Sequence, residues 1–221
     1  MPLYKTIHFD SSTQILVWKI TESYEKLFAE VQLSEKSLLR LNGMKSQLRQ
    51  REFLSIRKLL NQVGYSDFDL HYDESGKPFL NKKKDSSKPF EVSITHSNEF
   101  SAIIISIQKV GIDIEMQREK IIRIADKFVN NKDLFLLKNT NLEEFIKKLT
   151  VKWGAKEAIF KIRNEPRISF KDHIWINSFE IEDKKTTAVL EMENSKLYYS
   201  IYFEEMENFT LVYAFEIDRL N

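Results

Sequence analysis

Cysteine is absent from this chain of 221 residues. Its absence excludes disulfide bonds, thiolate metal sites and cysteine nucleophiles. Glycine and proline are scarce, with 5 and 4 residues, which argues against disordered or repetitive low-complexity sequence. No stretch of about 18 apolar residues occurs, and Met1–Thr13 lacks the apolar core of a secretory signal. We therefore expect a cytoplasmic protein without a membrane-spanning segment.

Neither sign of charge dominates, because 34 Lys and Arg residues are balanced by 33 Asp and Glu residues. The two signs are interspersed, so no global field would attract nucleic acid or an anionic membrane, and any basic function must be a local patch. The hydrophobic content of 42%, with 16 Phe, 8 Tyr and 3 Trp, is enough to fill a core. The length fits one large domain or two fused lobes.

Hydrophobic periodicity predicts a mixture of helices and antiparallel strands. A helix is predicted to start at a cap formed by Ser34, and further helices are predicted over residues 46–63, 121–128 and 142–163. Strands are predicted over 15–20, 68–72, 92–96, 101–107 and 110–115, the last two as a hairpin. Four aromatic and β-branched runs predict a C-terminal meander, at 174–182, 187–192, 197–203 and 209–217. The polar run 82–88 predicts a solvated loop. Because no parallel βαβ alternation is present, the expected fold class is α+β.

The predicted strand Val110–Glu115 carries two acids on one face. Ile112 and Ile114 alternate with Asp113 and Glu115, so a period of two places both carboxylates on the same side. Their Cα atoms would lie about 6.7 Å apart, which is two strand rises. Taken alone, this pair fits the solvent-exposed face of an edge strand equally well.

A third acid, Glu157, lies on the apolar side of the predicted long helix. Trp153 and Phe160 flank it at the four- and three-residue spacing of one helix face. Glu157 and Lys161 could form an ordinary surface pair, but a carboxylate on an apolar face costs stability unless something compensates it. A functional role is therefore favoured. Three acids converging from two elements would form an oxygen-ligand site for a hard cation.

Three further signals are inconclusive when each is taken alone. His96 ends an alternating strand and fits a buried core histidine as well as a functional one. Lys77 lies in a Gly-Lys-Pro turn, where an exposed lysine is ordinary. The segment Lys45–Lys58 has five basic residues against one acid, Glu52, so it could bind phosphates or nucleic acid, or be a solvated helix face.

The order of these motifs resembles one enzyme family. A Gly-Lys-Pro turn at 76–78 precedes a strand that ends in Thr-His-Ser at 95–97. A Gly-Ile-Asp-Ile-Glu strand follows at 111–115, and a Trp-x-x-Lys-Glu-Ala-x-x-Lys helix at 153–161. In this succession the chain is similar to a 4'-phosphopantetheinyl transferase of the surfactin-synthetase-activating type. The resemblance covers about residues 32–182, and its last two motifs are the specific ones.

The resemblance implies a fold and a reaction. The fold would be two similar α/β lobes related by a pseudo-twofold axis, with mainly antiparallel sheets. Residues 1–108 would form the N-terminal lobe and residues 109–221 the C-terminal lobe, with the active site between them. The reaction would transfer the 4'-phosphopantetheine arm of coenzyme A to a serine of an apo acyl or peptidyl carrier protein. Adenosine 3',5'-bisphosphate would be released, and Mg²⁺ would be the ion required.

The same resemblance assigns roles to the acidic residues and to Lys161. Asp113, Glu115 and Glu157 would hold Mg²⁺ against the coenzyme A pyrophosphate. The catalytic residues would be Asp113, Glu157 and Lys161, of which Lys161 neutralises charge on the leaving phosphate. Either Glu157 or an ion-bound water would accept the proton of the serine.

Coenzyme A binding is assigned by the resemblance to basic and hydroxyl residues: Arg51, Lys77, Thr95, His96 and Lys161. The family commonly has serine at the position of Thr95, and it tends to be glycine-rich where this chain has the charged segment 162–166. The expected partners are coenzyme A and a carrier protein, with no nucleic acid or membrane, and the expected state is a monomer. Two alternatives remain open: another Mg²⁺-dependent phosphoryl-transfer enzyme, or a non-catalytic homologue that binds coenzyme A or a nucleotide.

Overall fold

The structure is a computed structural model, and it describes residues 3–81, 90–137, 140–193 and 195–217. The chain divides into two compact units, Met1–Gln108 and Lys109–Asn221. Each unit places helices against an antiparallel sheet, so the predicted α+β class is confirmed. The loop predicted at 82–88 lies outside the described residues. No helix in the described part is long and apolar enough to cross a bilayer.

The first unit is built on a sheet with the strand order β1-β2-β6-β5-β4-β3, in which all neighbours are antiparallel. Its strands are β1 (Leu3–Asp10), β2 (Thr13–Lys19), β3 (Leu70–Tyr72), β4 (Pro78–Leu80), β5 (Glu91–Ser97) and β6 (Phe100–Ser106). Its α-helices are α1 (Tyr24–Ala29), α2 (Glu35–Asn42) and α3 (Gln47–Gln62). The sequence did not predict β1, and the helix and strand predictions for α2, α3, β2, β5 and β6 agree closely with the structure.

Local chemistry explains where these helices begin and end. Ser23, Ser34 and Ser46 each precede a helix, and their side chains accept a hydrogen bond from the backbone N–H three residues later. Such caps satisfy donors that have no partner within the helix. The helix α3 ends just before Gly64, whose φ of 71° suits glycine. The buried side of α3, which includes Leu54 and Leu59, packs on the sheet.

The sequence suggested that the basic residues of α3 lie on a solvated or phosphate-binding face. One of them, Arg57, does not. Arg57 is only 3% exposed, and its Nε donates to Asp67 Oδ1 at 2.8 Å. Asp67 also accepts hydrogen bonds from Ser34 and Ser37, so the pair joins α2 to α3. Counting charges along α3 missed this, because the partner lies ten residues farther along the chain. Arg57 is therefore a structural residue of the first unit.

The second unit is built on a sheet with the strand order β7-β11-β10-β9-β8, again antiparallel throughout. Its strands are β7 (Val110–Met116), β8 (Ile174–Ile176), β9 (Lys185–Met192), β10 (Ser195–Met206) and β11 (Phe209–Ile217). Its helices are α4 (Asn131–Leu137) and α5 (Leu142–Arg163), with 3₁₀ segments at Glu119–Lys127 and Ile181–Asp183. The bounds predicted for α5 are confirmed, and so are the meander strands predicted at 187–192, 197–203 and 209–217.

Two strand predictions were wrong. The strand β6 pairs with β2 and β5, whereas β7 pairs with β11, so these two strands do not form a hairpin. The connecting Gln108–Lys109 lacks the residues that favour a tight turn, and it falls at the boundary between the two units. The strand predicted over 174–182 ends at Ile176, and a 3₁₀ turn follows at Ile181–Asp183.

Candidate active site

Two glycines allow the acid-bearing face of β7 to approach α5. A Cβ atom on Gly111 would lie 1.9 Å from the carbonyl oxygen of Ala158, so the strand and the helix backbone touch at this point. A Cβ atom on Gly154 would lie 2.7 Å from Val212 Cγ2 and 3.6 Å from Asp113 Oδ2. Gly154 therefore brings α5 close to β11 and leaves room for the carboxylate of Asp113.

Replacing Gly111 with alanine should lower the free energy of unfolding by about 3 kcal/mol, at the upper end of overpacking costs, because the clash is with backbone. Gly43→Ala is the matched control, since the nearest atoms to its new Cβ lie at 3.5 Å and its φ is −75°. That control should be neutral or slightly stabilising. Urea denaturation measures both, and a Gly111→Ala variant as stable as Gly43→Ala would contradict the close contact.

The first acid, Asp113, is paired with a lysine of α5. The register of β7 places Asp113 opposite Val212 of β11, on the same face as Gly111. Asp113 is 4% exposed, and its Oδ1 accepts a hydrogen bond of 2.8 Å from Lys161 Nζ. Lys161 Nζ also donates to the carbonyl oxygen of Ile112 at 2.8 Å. The lysine therefore joins the end of α5 to the middle of β7.

The other two acids have raised pKa values. Burial raises the pKa of Glu115 to about 7, and the negative charges of Asp113 and Glu157 add to the effect. Burial together with the charge of Asp113 raises the pKa of Glu157 to about 6. Glu115 Oε1 accepts a hydrogen bond of 3.3 Å from Trp153 Nε1, which favours its charged form. The three carboxylates are thus close enough for their charges to repel one another.

The donor set is made only of carboxylate oxygens, which suits a hard divalent cation. Within the residues that the structure describes, no three Asp, Glu or His side chains form a ready-made metal-binding group. Asp113 is engaged by Lys161, and Glu115 by Trp153. An ion would therefore require side-chain rotation, and it would relieve the repulsion that raises the pKa values of Glu115 and Glu157.

Residues 109–214 match the family model of the 4'-phosphopantetheinyl transferase superfamily. This span includes Asp113, Glu115, Glu157 and Lys161, which we call the acid site. The chain belongs to this superfamily. Over 158 residues it is 31% identical to "4'-phosphopantetheinyl transferase gsp" of Aneurinibacillus migulanus. The alignment covers 69% of this chain and 61% of that relative. The chain thus spans about three fifths of the length of that relative.

A second relative of this superfamily member is a much shorter protein. Over 104 residues the chain is 29% identical to a "Holo-[acyl-carrier-protein] synthase" of Streptococcus agalactiae, strain NEM316. That alignment covers 41% of this chain and 87% of the synthase. The resemblance inferred from the order of the motifs is confirmed by these matches.

The other residues that the sequence predicts to bind coenzyme A lie in the first unit of this superfamily member. Arg51 is half-buried, and its Nε has no hydrogen-bond partner among the described residues. His96 Nδ1 lies 3.2 Å from a carboxylate oxygen of the buried Glu52. Lys77 Nζ lies 3.1 Å from Glu91 Oε2, and Thr95 is 5% exposed. Their binding of coenzyme A stays a prediction.

Sequence reasoning missed one contact of the acid site and one feature of α5. Trp153 was identified only as an apolar neighbour of Glu157, yet its indole N–H holds Glu115. Lys152 and Lys156 were not expected to be buried, but they are 5% and 4% exposed. Their repeat at every fourth residue, continuing from Lys148, is the signal that could have indicated a common environment.

Proposed function

We propose that this chain transfers the 4'-phosphopantetheine arm of coenzyme A to a serine of an apo acyl or peptidyl carrier protein. The serine oxygen would attack the phosphorus next to the pantetheine arm, and the bond from that phosphorus to the bridging oxygen would break. Adenosine 3',5'-bisphosphate would leave, and the serine proton would pass to a base. The observation that supports this most is the grouping of Asp113, Glu115, Glu157 and Lys161 where β7 meets α5.

The acidic residues are suited to hold Mg²⁺. A small cation of this kind prefers one or a few carboxylates together with phosphate oxygens of the substrate. We assign this role to Asp113, Glu115 and Glu157, whose mutual repulsion an ion would relieve. When bound, the ion would neutralise pyrophosphate charge and polarise the reacting phosphorus.

Lys161 and Glu157 would act on the charge and the proton of the reaction. The side chain of Lys161 is 27% exposed, so its ammonium group could reach a phosphate oxygen while remaining next to Asp113. Its positive charge would stabilise the negative charge that develops on the leaving phosphate. With a pKa of about 6, Glu157 is deprotonated above neutral pH and can accept the proton of the serine.

Residues of the first unit would bind the nucleotide phosphates of coenzyme A. The buried Nε of Arg51 is a donor that a phosphate oxygen would satisfy. His96 lies beside Arg49 and Glu52, where its ring could donate a hydrogen bond to a phosphate oxygen. We add Lys77 and the hydroxyl of Thr95 to this group.

The test is to incubate the protein with coenzyme A, Mg²⁺ and a panel of apo carrier proteins, followed by mass spectrometry. A carrier that gains the mass of the phosphopantetheine arm supports the proposal. Thermal protection by coenzyme A with no transfer to any carrier would favour a non-catalytic binding homologue. Protection by nucleoside triphosphates but not by coenzyme A would favour another phosphoryl-transfer enzyme that uses the same acids.

The raised pKa values predict how stability depends on pH and on the ion. Between about pH 4.5 and 7, the folded protein binds more protons at Glu115 and Glu157 than the unfolded chain does. The contribution of these groups to the stability of the ion-free protein therefore decreases as pH rises through this range. An ion binds the deprotonated carboxylates, so Mg²⁺ should raise the melting temperature more at pH 8 than at pH 5.5.

Thermal denaturation with EDTA or with Mg²⁺ at the two pH values measures this effect. The Glu115→Gln variant is the control, because its glutamine has no carboxyl proton to lose when the ion binds. At pH 8, Mg²⁺ should raise the melting temperature of this variant less than that of the parent protein. An equal shift in melting temperature at both pH values for the parent protein would contradict the prediction.

A further inference from the structure

Three lysines lie buried along one side of α5 at intervals of four residues. Lys148, Lys152 and Lys156 are 6%, 5% and 4% exposed. Burying an ammonium group is costly unless it is hydrogen-bonded. Burial accordingly lowers the pKa of Lys152 and lowers the pKa of Lys156 to about 7. Such a column needs partners, and most of them lie in one segment of chain, residues 170–180.

The partners in this segment follow one another in the direction opposite to α5. Lys156 Nζ donates to the carbonyl oxygens of Phe170 and Ile174. Lys152 Nζ donates to the carbonyl oxygen of Ile176 at 3.1 Å and, outside this segment, to Asp133 Oδ2 at 3.3 Å. At the outer end, Lys148 Nζ pairs with Glu180 at 2.6 Å and with Glu144 at 2.8 Å. The lysine column therefore holds this segment against the helix.

The inner end of the segment leads to the acid site through aromatic rings. The ring centroid of Phe170 lies 5.6 Å from that of Trp153 and 5.8 Å from that of Phe160. Trp153 is also in edge contact with Phe128 at 5.1 Å. Its indole nitrogen in turn donates to Glu115 Oε1. One chain of contacts thus runs from Lys156 through Phe170 and Trp153 to Glu115.

We propose that Lys156 is a positioning residue for the acid site: it holds Phe170, which keeps the indole N–H of Trp153 directed at Glu115. The proposal rests on the proposed function in that Glu115 serves the transfer reaction. A leucine of similar size would fill the same space, but it would leave the carbonyl oxygens of Phe170 and Ile174 without this donor. Lysine is therefore suited to fix the position of Phe170 as well as to fill volume.

The experiment compares Lys156→Met with Lys148→Met, the outer lysine of the column, whose partners are side-chain carboxylates. Groups that orient a metal ligand typically contribute 10- to 100-fold to metal affinity or activity. For Lys156→Met we expect about a tenfold lower kcat with the KM for coenzyme A unchanged, and about tenfold weaker Mn²⁺ binding. Lys148→Met should keep the values of the parent protein.

Fluorescence reports the position of Trp153 directly. In a Trp18→Phe, Trp175→Phe background, Trp153 is the single tryptophan of the sequence. Lys156→Met should shift its emission maximum and increase its quenching by acrylamide about twofold. Unchanged emission and unchanged Mn²⁺ affinity in a folded Lys156→Met protein would overturn the proposal. If Lys156→Met does not fold, Phe170→Leu is measured in its place, with the same expected and opposing results.

A double-mutant cycle separates positioning from a general loss of stability. Trp153→Phe keeps an aromatic ring but removes the N–H donor to Glu115. If Lys156 acts through Trp153, Lys156→Met should weaken Mn²⁺ binding much less in the Trp153→Phe background. Additive losses would mean that Lys156 acts by another route and would overturn the proposal. Fluorescence and Mn²⁺ binding can be measured without a carrier protein, so they decide the proposal even if the parent protein transfers no arm.

Discussion

Replacing Glu157 with glutamine is expected to lower the rate of arm transfer by about 10³-fold, comparable to the loss of one charge-stabilising group in other enzymes. Glutamine keeps the size of the side chain but can neither hold a cation by charge nor accept the serine proton. In the absence of the ion, the same change should make the protein more stable at pH 8, because it removes one of the mutually repelling carboxylates. Time courses of carrier modification by mass spectrometry measure the rate, and urea denaturation in EDTA measures the stability.

The control for this variant is Glu143→Gln on the same helix. Glu143 is in the first turn of α5, its side chain is 79% exposed, and it forms a surface pair with Lys147. Its replacement should leave transfer unchanged. A Glu157→Gln protein that retains more than a tenth of the parent rate would remove Glu157 from the catalytic group.

Replacing Lys161 with methionine is expected to lower transfer by about 10²- to 10³-fold, because the charge that stabilises the leaving phosphate is lost. Unlike the change at Glu157, this one should also lower stability. Asp113 is 4% exposed and would lose the ammonium group that lies 2.8 Å away. The free energy of unfolding should fall by about 2 kcal/mol. This is less than the cost of breaking a fully buried ion pair, because Lys161 is partly exposed.

Lys147→Met is the matched control, since Lys147 also lies on α5 and has a similar exposure of 24% against 27% for Lys161. Its partners, Glu143 and Glu205, are themselves exposed, so the variant should be active and nearly as stable as the parent. The Glu157 and Lys161 variants should therefore share a loss of activity and differ in the sign of their stability change. A change in the same direction for both would contradict the account of charge repulsion at the site.

Features set by local chemistry were predictable from the sequence. The long helix Leu142–Arg163 was predicted over its full length, because apolar residues recur along it at three- and four-residue spacing and no proline occurs before the αL cap at Asn164. The period of two in Val110–Glu115 correctly indicated a strand, and its register confirms that Asp113 and Glu115 lie on one face. The serine cap of α2 and the turn at Gly76 follow from the same local rules.

Features set by distant partners could not be predicted. Alternation assigns residues to the faces of a strand but does not choose the neighbouring strand, so β6 and β7 were wrongly paired with each other. The burial of Arg57 depends on Asp67, and the burial of Lys156 depends on carbonyl oxygens of a later segment. Such residues look like solvated charges until the chain has folded.

The close contact at Gly111 has a consequence for the kinds of mutation that β7 can tolerate. Because side chains alternate along the strand, one extra residue inserted before Asp113 would rotate both acids to the opposite face. The isoleucines would then point toward α5, where Gly111 now allows the helix to rest on the strand. Length changes in this strand should therefore be far more harmful than most single replacements, and homologous chains should vary here in composition but not in spacing.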